Sequence, residues 1–205
     1  MAPRPDAPTG DRRVAGLLLT GGASRRMGRD KALLEVDGQR LVDRAAALLA
    51  AVADPVVEVG PGWSGLPAVR EDPPGSGPLA AVSAGAAALR RMGHDGAVIV
   101  LAVDMPRVSA ELLRLLATRD GPATAVPRAG GHPQPLCARY GPDALAAVDR
   151  LLAGGGRSLR ALLEAMDARG EVGWVQPEEW ARVAEASALA DVDTPDDLRR
   201  LLEGP

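Results

Sequence analysis

The 205-residue sequence predicts an α/β fold with a mainly parallel sheet and helices on both of its faces. Two continuous apolar runs, residues 14–19 and 97–103, are typical of strands that are buried on both faces of such a sheet. Segments with apolar residues at helical spacing lie between the strand candidates, as expected where helices connect parallel strands. Both runs end in glycine or polar residues, and ligands of open α/β sheets bind at such strand ends.

The first half of the chain contains further segments that fit this fold class. Residues 1–12 are rich in proline and charge, which predicts a disordered arm ahead of one domain over residues 13–205. Apolar residues at helical spacing predict a helix at 41–52. Short apolar runs bounded by proline and glycine predict strands at 55–59 and 67–70.

The rest of the chain continues the alternation. Residues 72–78 are too rich in proline and glycine for a helix or strand, and they predict a loop before a helix of small residues to about Arg91. Ser109 is the expected N-cap of a helix that ends near Thr118. Further strands are predicted at 123–127, 135–140 and 171–176, with a glycine turn at 129–131. Further helices are predicted at 142–153, at 158–168 and from Thr194 onward.

Composition and charge narrow the classes of partner. A net charge of −3 leaves no broad basic surface, so nucleic acid is not an expected partner. The single cysteine, Cys137, excludes an internal disulfide and fits a reducing compartment. No stretch approaches the roughly 18 apolar residues of a membrane span. We therefore expect a cytoplasmic protein with neither a membrane nor a nucleic-acid partner.

The basic residues are unevenly divided, since 23 are arginines and Lys31 is the one lysine. An ammonium is a compact point charge and a guanidinium is a broad planar fork, so a tight phosphate site can distinguish them. Lys31 closes the segment 20–31, which contains three glycines and four cations directly after the first predicted strand. Glycines let backbone N–H groups approach an anion, and cations neutralise it. The segment is therefore predicted to bind phosphates, with Lys31 and Arg25 as the main contacts.

The spacing within this segment matches neither a P-loop nor the G-x-G-x-x-G of dinucleotide-binding folds. Residues 19–34 instead resemble the motif L-A-G-G-x-S-x-R-M-G-x-D-K-x-L-L of nucleotidyltransferases, and within that superfamily they are most similar to molybdenum cofactor guanylyltransferases. Thr20 departs from the motif, where the family usually has Ala. Further matches follow in the family's order at residues 71–72, 77–80, 103–106, 132–140, 155–159 and 191–198.

The resemblance covers about residues 14–203 and carries expectations for fold and reaction. It implies a Rossmann-like three-layer sandwich of the nucleotide-diphospho-sugar transferase type. It also implies Mg²⁺-dependent transfer of GMP from GTP to the terminal phosphate of molybdopterin, with release of pyrophosphate. The expected partners are then GTP and a phosphorylated pterin, together with proteins that deliver or receive the cofactor.

The same resemblance assigns roles to individual residues. Asp104, at the end of the strongest predicted strand, is expected to hold Mg²⁺, and Asp193 is a second candidate ligand. The expected catalytic residues are Lys31, Arg25 and Asp104. The expected nucleotide-binding residues are Leu19, Thr20, Gly21, Gly22, Ser24, Lys31, Asp72, Gly77, Pro78, Leu79 and Asp104. The expected acceptor-binding residues are His132, Gln134, Pro135 and Arg157.

Two residues favour guanine, while one leaves the base open. A Cβ at Gly21, where cytidylyl relatives carry Ala, would occupy room that a purine needs. The Asp72 carboxylate can accept two hydrogen bonds from the guanine edge. Asp193 leaves a cytidylyltransferase for the same cofactor open, because the guanylyl family often has Asn there. A guanylyltransferase for another phosphorylated acceptor and a nucleotide-binding regulator without turnover also stay open.

Overall fold

The structure is a computed structural model that describes residues 14–21, 30–194, 196–197 and 199–200. The strands are β1 (Ala15–Leu19), β2 (Glu35–Val36), β3 (Gln39–Arg40), β4 (Val56–Val59), β5 (Ala68–Val69), β6 (Val98–Ala102), β7 (Thr124–Ala129), β8 (His132–Pro133), β9 (Cys137–Tyr140) and β10 (Val172–Val175). The helices are α1 (Leu41–Ala50), α2 (Pro78–Arg91), α3 (Ala110–Thr118), α4 (Pro142–Ala153), α5 (Leu159–Asp167) and α6 (Pro177–Trp180), and a 3₁₀ turn covers Lys31–Leu33. The expected arm at 1–12 lies outside the described residues, and the domain bounds 13–205 stay a prediction.

One mixed sheet runs through the fold in the strand order β10-β7-β9-β6-β1-β4-β5, and β8 pairs with β7. Neighbouring strands on this path are parallel, except that β9 is antiparallel to both β6 and β7. The parallel strands therefore end together at one side of the sheet, which we call the carboxyl edge. This topology confirms the mainly parallel mixed sheet that the sequence predicts.

Helices cover both faces of the sheet and enclose two cores. Leu18 and Ile99 share one core with residues of α1 and α3. Leu17 and Val100 share the other core with residues of α2, α4 and α5. Successive strand residues point to opposite faces, so the continuous apolar runs of β1 and β6 fill both cores. The three-layer arrangement is confirmed, and within the described ranges no helix is long and apolar enough to cross a membrane.

Helix α2 lies unusually close to the sheet because its sequence consists largely of small residues. A Cβ on Gly85 would lie 2.6 Å from Leu17 Cδ2 and 2.8 Å from Val59 Cγ2, which is closer than side chains pack in protein cores. The backbone of α2 thus packs directly against side chains of β1 and β4. The helix begins at Pro78, beside the carboxyl edge.

Two short elements differ from the sequence expectations. Strands β2 and β3 form an antiparallel ribbon around Asp37 (φ +53°) and Gly38 (φ +76°). The pair Asp-Gly is a strong hairpin signal, but strands of two residues are too short to show alternation. Helix α6 is a single turn that begins with Pro177, and the Trp180 indole N–H donates to Arg128 O at 2.9 Å.

The close approach at Gly85 predicts a stability effect. We expect Gly85→Ala to lower the free energy of unfolding by about 1–3 kcal/mol, because the added methyl group displaces Leu17 and Val59. Gly154→Ala is the matched control, since its Cβ would meet only carbonyl oxygens at 3.5 and 3.6 Å. Urea unfolding followed by circular dichroism measures both variants, and equal unfolding free energies would contradict the close packing.

Candidate active site

A cleft of about 330 Å³ opens at the carboxyl edge between the ends of β1 and β6 and the start of α2. Its wall is formed by Leu19, Thr20, Gly21, Asp30, Lys31, Glu71, Gly75, Gly77, Pro78, Ala81, Ala102, Val103, Asp104 and Leu136. The location agrees with the rule that ligands of open α/β sheets bind beyond the carboxyl ends of the strands.

Lys31 reaches the cleft from the 3₁₀ turn. Its neighbour Ala32 is fully buried in the core on the α1 side, which anchors the turn. The Lys31 Nζ lies 3.4 Å from Asp104 Oδ2 and also donates a hydrogen bond to Asp193 Oδ1. The Lys31 side chain is 16% exposed, so one largely buried ammonium joins two carboxylates from distant parts of the chain.

A backbone hydrogen bond brings these two carboxylates together. Asp104 follows β6, and its carbonyl oxygen accepts from Val192 N at 2.9 Å. This bond holds the segment that contains Asp193 against the end of β6. The next residue, Thr194, caps the final helix, because its Oγ1 accepts from Asp197 N at 3.2 Å. The cap thus accounts for Thr194 and Asp197, whereas the side chain of Asp193 turns to Lys31.

Burial and charge act in opposite directions on the pKa values in this group. Burial lowers the pKa of Lys31, but the hydrogen bond to Asp193 and the charge of Asp104 outweigh it, and the pKa lies above its ordinary value. Burial raises the pKa of Asp104, and Lys31 offsets this only in part while Asp193 and Asp191 add negative charge. Among the described side chains, this group contains two carboxylates and one ammonium, an arrangement that can accept a further cation.

The donor set fits a magnesium ion. Asp104 and Asp193 contact the same ammonium, so their carboxylate oxygens share one small region. Mg²⁺ in phosphate sites is held through one or two carboxylates, and the phosphates supply further oxygens. Across the described ranges, no group of three or more His, Cys, Asp or Glu side chains is arranged to hold a metal. Asp104 and Asp193 could thus supply the protein oxygens of a metal that also binds phosphate.

The loop between β5 and α2 forms a second wall of the cleft. Glu71 Oε1 accepts a hydrogen bond from Gly75 N at 2.9 Å, and the Ser76 hydroxyl donates to Pro73 O at 2.6 Å. Helix α2 then begins at Pro78, and the N–H groups of a first helical turn have no acceptor within the helix. These groups and the helix dipole favour an anion at this end of the cleft.

Seven of the eleven residues predicted to bind the nucleotide lie in the cleft wall, namely Leu19, Thr20, Gly21, Lys31, Gly77, Pro78 and Asp104. Leu79 is instead fully buried in the core, and Asp72 is exposed and outside the wall. Gly22, Ser24 and the catalytic candidate Arg25 lie outside the described residues.

Seven wall residues were not assigned a role from the sequence, namely Asp30, Glu71, Gly75, Ala81, Ala102, Val103 and Leu136. Asp30 precedes the lysine, Glu71 precedes Asp72, and Leu136 lies in the acceptor segment. Which of the neighbouring carboxylates Glu71 and Asp72 faces the cleft depends on the path of the loop. A linear motif contains no information about that path.

The predicted acceptor residues that precede β9 lie next to the cleft. Because β9 runs against its neighbours, its beginning is at the carboxyl edge. Ala102 N donates to Leu136 O at 2.8 Å, which places the preceding residues Gln134 and Pro135 beside the end of β6. Gln134 N donates in turn to Pro127 O at 2.8 Å.

The other two acceptor candidates are exposed. His132 lies in β8, which pairs with the end of β7. Arg157 lies in the connection between α4 and α5. Strand β9 runs away from the carboxyl edge, and α4 then runs back toward it. The connection between α4 and α5 therefore lies at the same edge of the sheet as the cleft.

Comparison with known proteins agrees with this architecture. The family model "MobA-like NTP transferase domain" matches residues 16–171. The chain belongs to this family. It is 38% identical over 204 residues to the "Probable molybdenum cofactor guanylyltransferase" of Mycobacterium avium, with coverage of 93% of this chain and 95% of the relative. It is 35% identical to the protein of the same name from Chloroflexus aggregans, with coverage of 91% and 92%.

A solved structure of the MobA-like type has the same fold. Molybdopterin-guanine dinucleotide biosynthesis protein A from Archaeoglobus fulgidus matches with a TM-score of 0.75 and 26% identity. The match covers 93% of this chain and 97% of that chain. The expected family and the nucleotidyltransferase fold are therefore confirmed.

The ion pairs of Lys31 predict a titration that can be observed without interference, because Lys31 is the only lysine. In protein labelled with ¹⁵N and ¹³C at lysine, we expect one ammonium signal that titrates above its ordinary pKa. Asp193→Asn should lower this midpoint, because it removes a charge and a charge-assisted hydrogen bond. Asp196→Asn is the control, because Asp196 pairs with Arg199 and not with Lys31. An unchanged midpoint in Asp193→Asn would contradict the pairing.

Proposed function

We propose that this chain catalyses the Mg²⁺-dependent transfer of GMP from GTP to the terminal phosphate of molybdopterin, with release of pyrophosphate. The observation that carries the proposal is that Lys31 and Asp104 line a cleft at the carboxyl edge and that Lys31 also pairs with Asp193. The names of the guanylyltransferase relatives support the same reaction and the same acceptor.

The proposed reaction requires charge neutralisation and positioning. An oxygen of the acceptor phosphate forms a bond to the α-phosphorus of GTP, and the bond to pyrophosphate breaks with the electron pair leaving on pyrophosphate. The acceptor phosphate is already anionic near neutral pH, so the chain does not need a strong general base. Lys31 and the N–H groups at the start of α2 would bind the phosphates and neutralise their charge. They would also hold the bond that breaks in line with the attacking oxygen.

Asp104 and Asp193 are the residues proposed to hold Mg²⁺. When bound, the metal supplies positive charge to the phosphate oxygens and orients them. The presence of two carboxylates beside one ammonium in the described part of the site supports this assignment, because a second cation would balance the second carboxylate. Arg25 is proposed as a further phosphate contact from the matched motif.

The proposed base is guanine. A Cβ on Gly21 would have Val59 O at 3.7 Å, Gly60 Cα at 3.9 Å and Glu71 Oε1 at 4.0 Å as its nearest neighbours, so a methyl group at this wall residue would occupy space that the glycine leaves open. The predicted nucleotide contacts Gly22, Ser24 and Asp72 are retained from the motif, and Leu79 is retained only through its backbone N–H because its side chain is fully buried. A carboxylate at the guanine edge can accept from both N1–H and the 2-amino group.

The proposed acceptor side consists of His132, Gln134, Pro135 and Arg157. Gln134 and Pro135 directly precede Leu136, which lies in the cleft wall. The proposed setting is the cytoplasm, where the product would pass to proteins that deliver or receive the cofactor.

Loss of the Asp104 carboxylate gives the first test of this function. We expect wild-type protein with Mg²⁺, GTP and molybdopterin to release pyrophosphate, and Asp104→Asn to lower kcat by about 100-fold or more, because a metal ligand is lost. Asp120→Asn, at an exposed residue on the opposite side of the sheet, should keep its activity.

The same assay decides among the rival functions. Faster turnover of CTP than GTP would indicate a cytidylyltransferase, and turnover only with another phosphorylated acceptor would indicate a different acceptor. Absence of pyrophosphate release with every nucleotide and acceptor would favour a regulator that binds nucleotide without turnover.

Lys31→Arg tests whether the shape of the cation matters. The substitution keeps the positive charge but replaces a point charge by a planar group that needs more room. We expect kcat for pyrophosphate release to fall by about tenfold or more. Arg160→Lys, on the exposed face of α5, is the reverse control and should leave kcat unchanged. Full activity of Lys31→Arg would show that charge alone is required at this position.

A further inference from the structure

Glu58 is a buried carboxylate that the proposed reaction does not use. It lies in β4 between β1 and β5, and its side chain is completely inaccessible. Its neighbours Val57 and Val59 point into the core on the α2 side, so Glu58 points to the opposite face of the sheet. An ionised side chain in such a position is costly unless its oxygens accept hydrogen bonds.

Five hydrogen bonds satisfy this carboxylate, and every donor is neutral. Oε1 accepts from the Thr20 hydroxyl at 2.6 Å, from Gly62 N at 2.8 Å and from Trp63 N at 3.0 Å. Oε2 accepts from Ser64 N at 2.8 Å and from the Ser64 hydroxyl at 2.5 Å. Burial alone would raise the pKa of Glu58, but these bonds outweigh it, and the pKa lies below its ordinary value.

The Thr20 hydroxyl is the bond that leads to the cleft. Thr20 follows β1, is almost fully buried, and occupies the position where the family motif usually has Ala. The backbone here is also held by Thr20 N and Gly21 N, which both donate to Val59 O, at 3.1 and 3.3 Å. A Cβ on Gly60 would lie 2.1 Å from Thr20 Oγ1, so the hydroxyl needs a glycine beside it.

We propose that Glu58 and Thr20 are positioning residues, which fix the backbone at Gly21 where the chain enters the glycine-rich segment. The Glu58 carboxylate accepts hydrogen bonds from Thr20, at the end of β1, and from residues 62–64. It therefore connects the nucleotide side of the cleft to the loop after β4. An Ala at position 20 could not make this hydrogen bond to Glu58. This inference rests on the proposed function in that it takes the cleft as the nucleotide site.

The decisive variant is Thr20→Val, which keeps the shape of the side chain and removes only the hydroxyl. We expect the Kd for Mg²⁺·GTP, measured by calorimetry, to rise roughly tenfold, because the backbone at Gly21 is then held only by the two bonds to Val59 O. We also expect faster hydrogen exchange at the Gly21 amide without nucleotide. Thr20→Ser retains the donor and should recover most of the lost affinity. Glu58→Gln should change the Kd in the same direction, and the double variant should be less than additive.

Thr124→Val is the matched control. Thr124 is equally buried, and its hydroxyl accepts from Gly141 N at 3.1 Å at the far side of the sheet. It should lower stability without changing the Kd or the Gly21 exchange rate. If Thr20→Val matches the wild type in Kd and in Gly21 exchange, or if Thr124→Val changes both to the same extent, the positioning role is wrong.

The outcome also separates this inference from the proposed function. A wild type that does not transfer GMP, together with a Thr20→Val variant that exchanges Gly21 faster and binds GTP more weakly, overturns the proposed function and supports the positioning role. Normal transfer by the wild type with no effect of Thr20→Val does the reverse. The exchange measurement needs neither nucleotide nor acceptor, so it decides the positioning role in either case.

Discussion

The ion pairs of Lys31 with Asp104 and Asp193 are the interaction on which the rest of the site depends. They join the turn after the glycine-rich segment, the end of the central strand β6 and the segment before the final helix. Two carboxylates this close together, one of them the part-buried Asp104, would repel each other without a cation between them. The ammonium therefore holds the two acidic groups together at the carboxyl edge.

The geometry of this group explains why a chain rich in arginine has a lysine here. Both carboxylates meet at one nitrogen atom, and an ammonium presents three donors from a single point. A guanidinium would spread its donors over a plane and would need the carboxylates farther apart. A requirement for compact charge at this position would account for the lysine, whereas arginine forms other pairs such as that of Arg160 with Glu164.

Sequence reasoning predicted the sheet, the helical layers and half of the residues in the cleft wall, because these follow from periodicity and from a long motif. Buried strands such as β6 are recognised by their long apolar runs. Lys31 closes the segment 20–31, and Asp104 closely follows β6. It missed the β2–β3 ribbon, whose strands are shorter than any detectable period, and it assigned no role to Glu71. It also treated Thr20 as a small departure, since a partner 38 positions away on another strand cannot be read from a local pattern.

The reversed direction of β9 has a consequence for how such a site can change. The proposed nucleotide side is formed by the ends of parallel strands. These strands contribute side chains to both cores, where substitutions are destabilising. The side beyond Leu136 is made from the start of a strand that follows a surface hairpin, and its length and sequence can vary without disturbing the parallel strands. The proposed acceptor side could therefore be altered at the start of β9 while the ends of the parallel strands stay as they are.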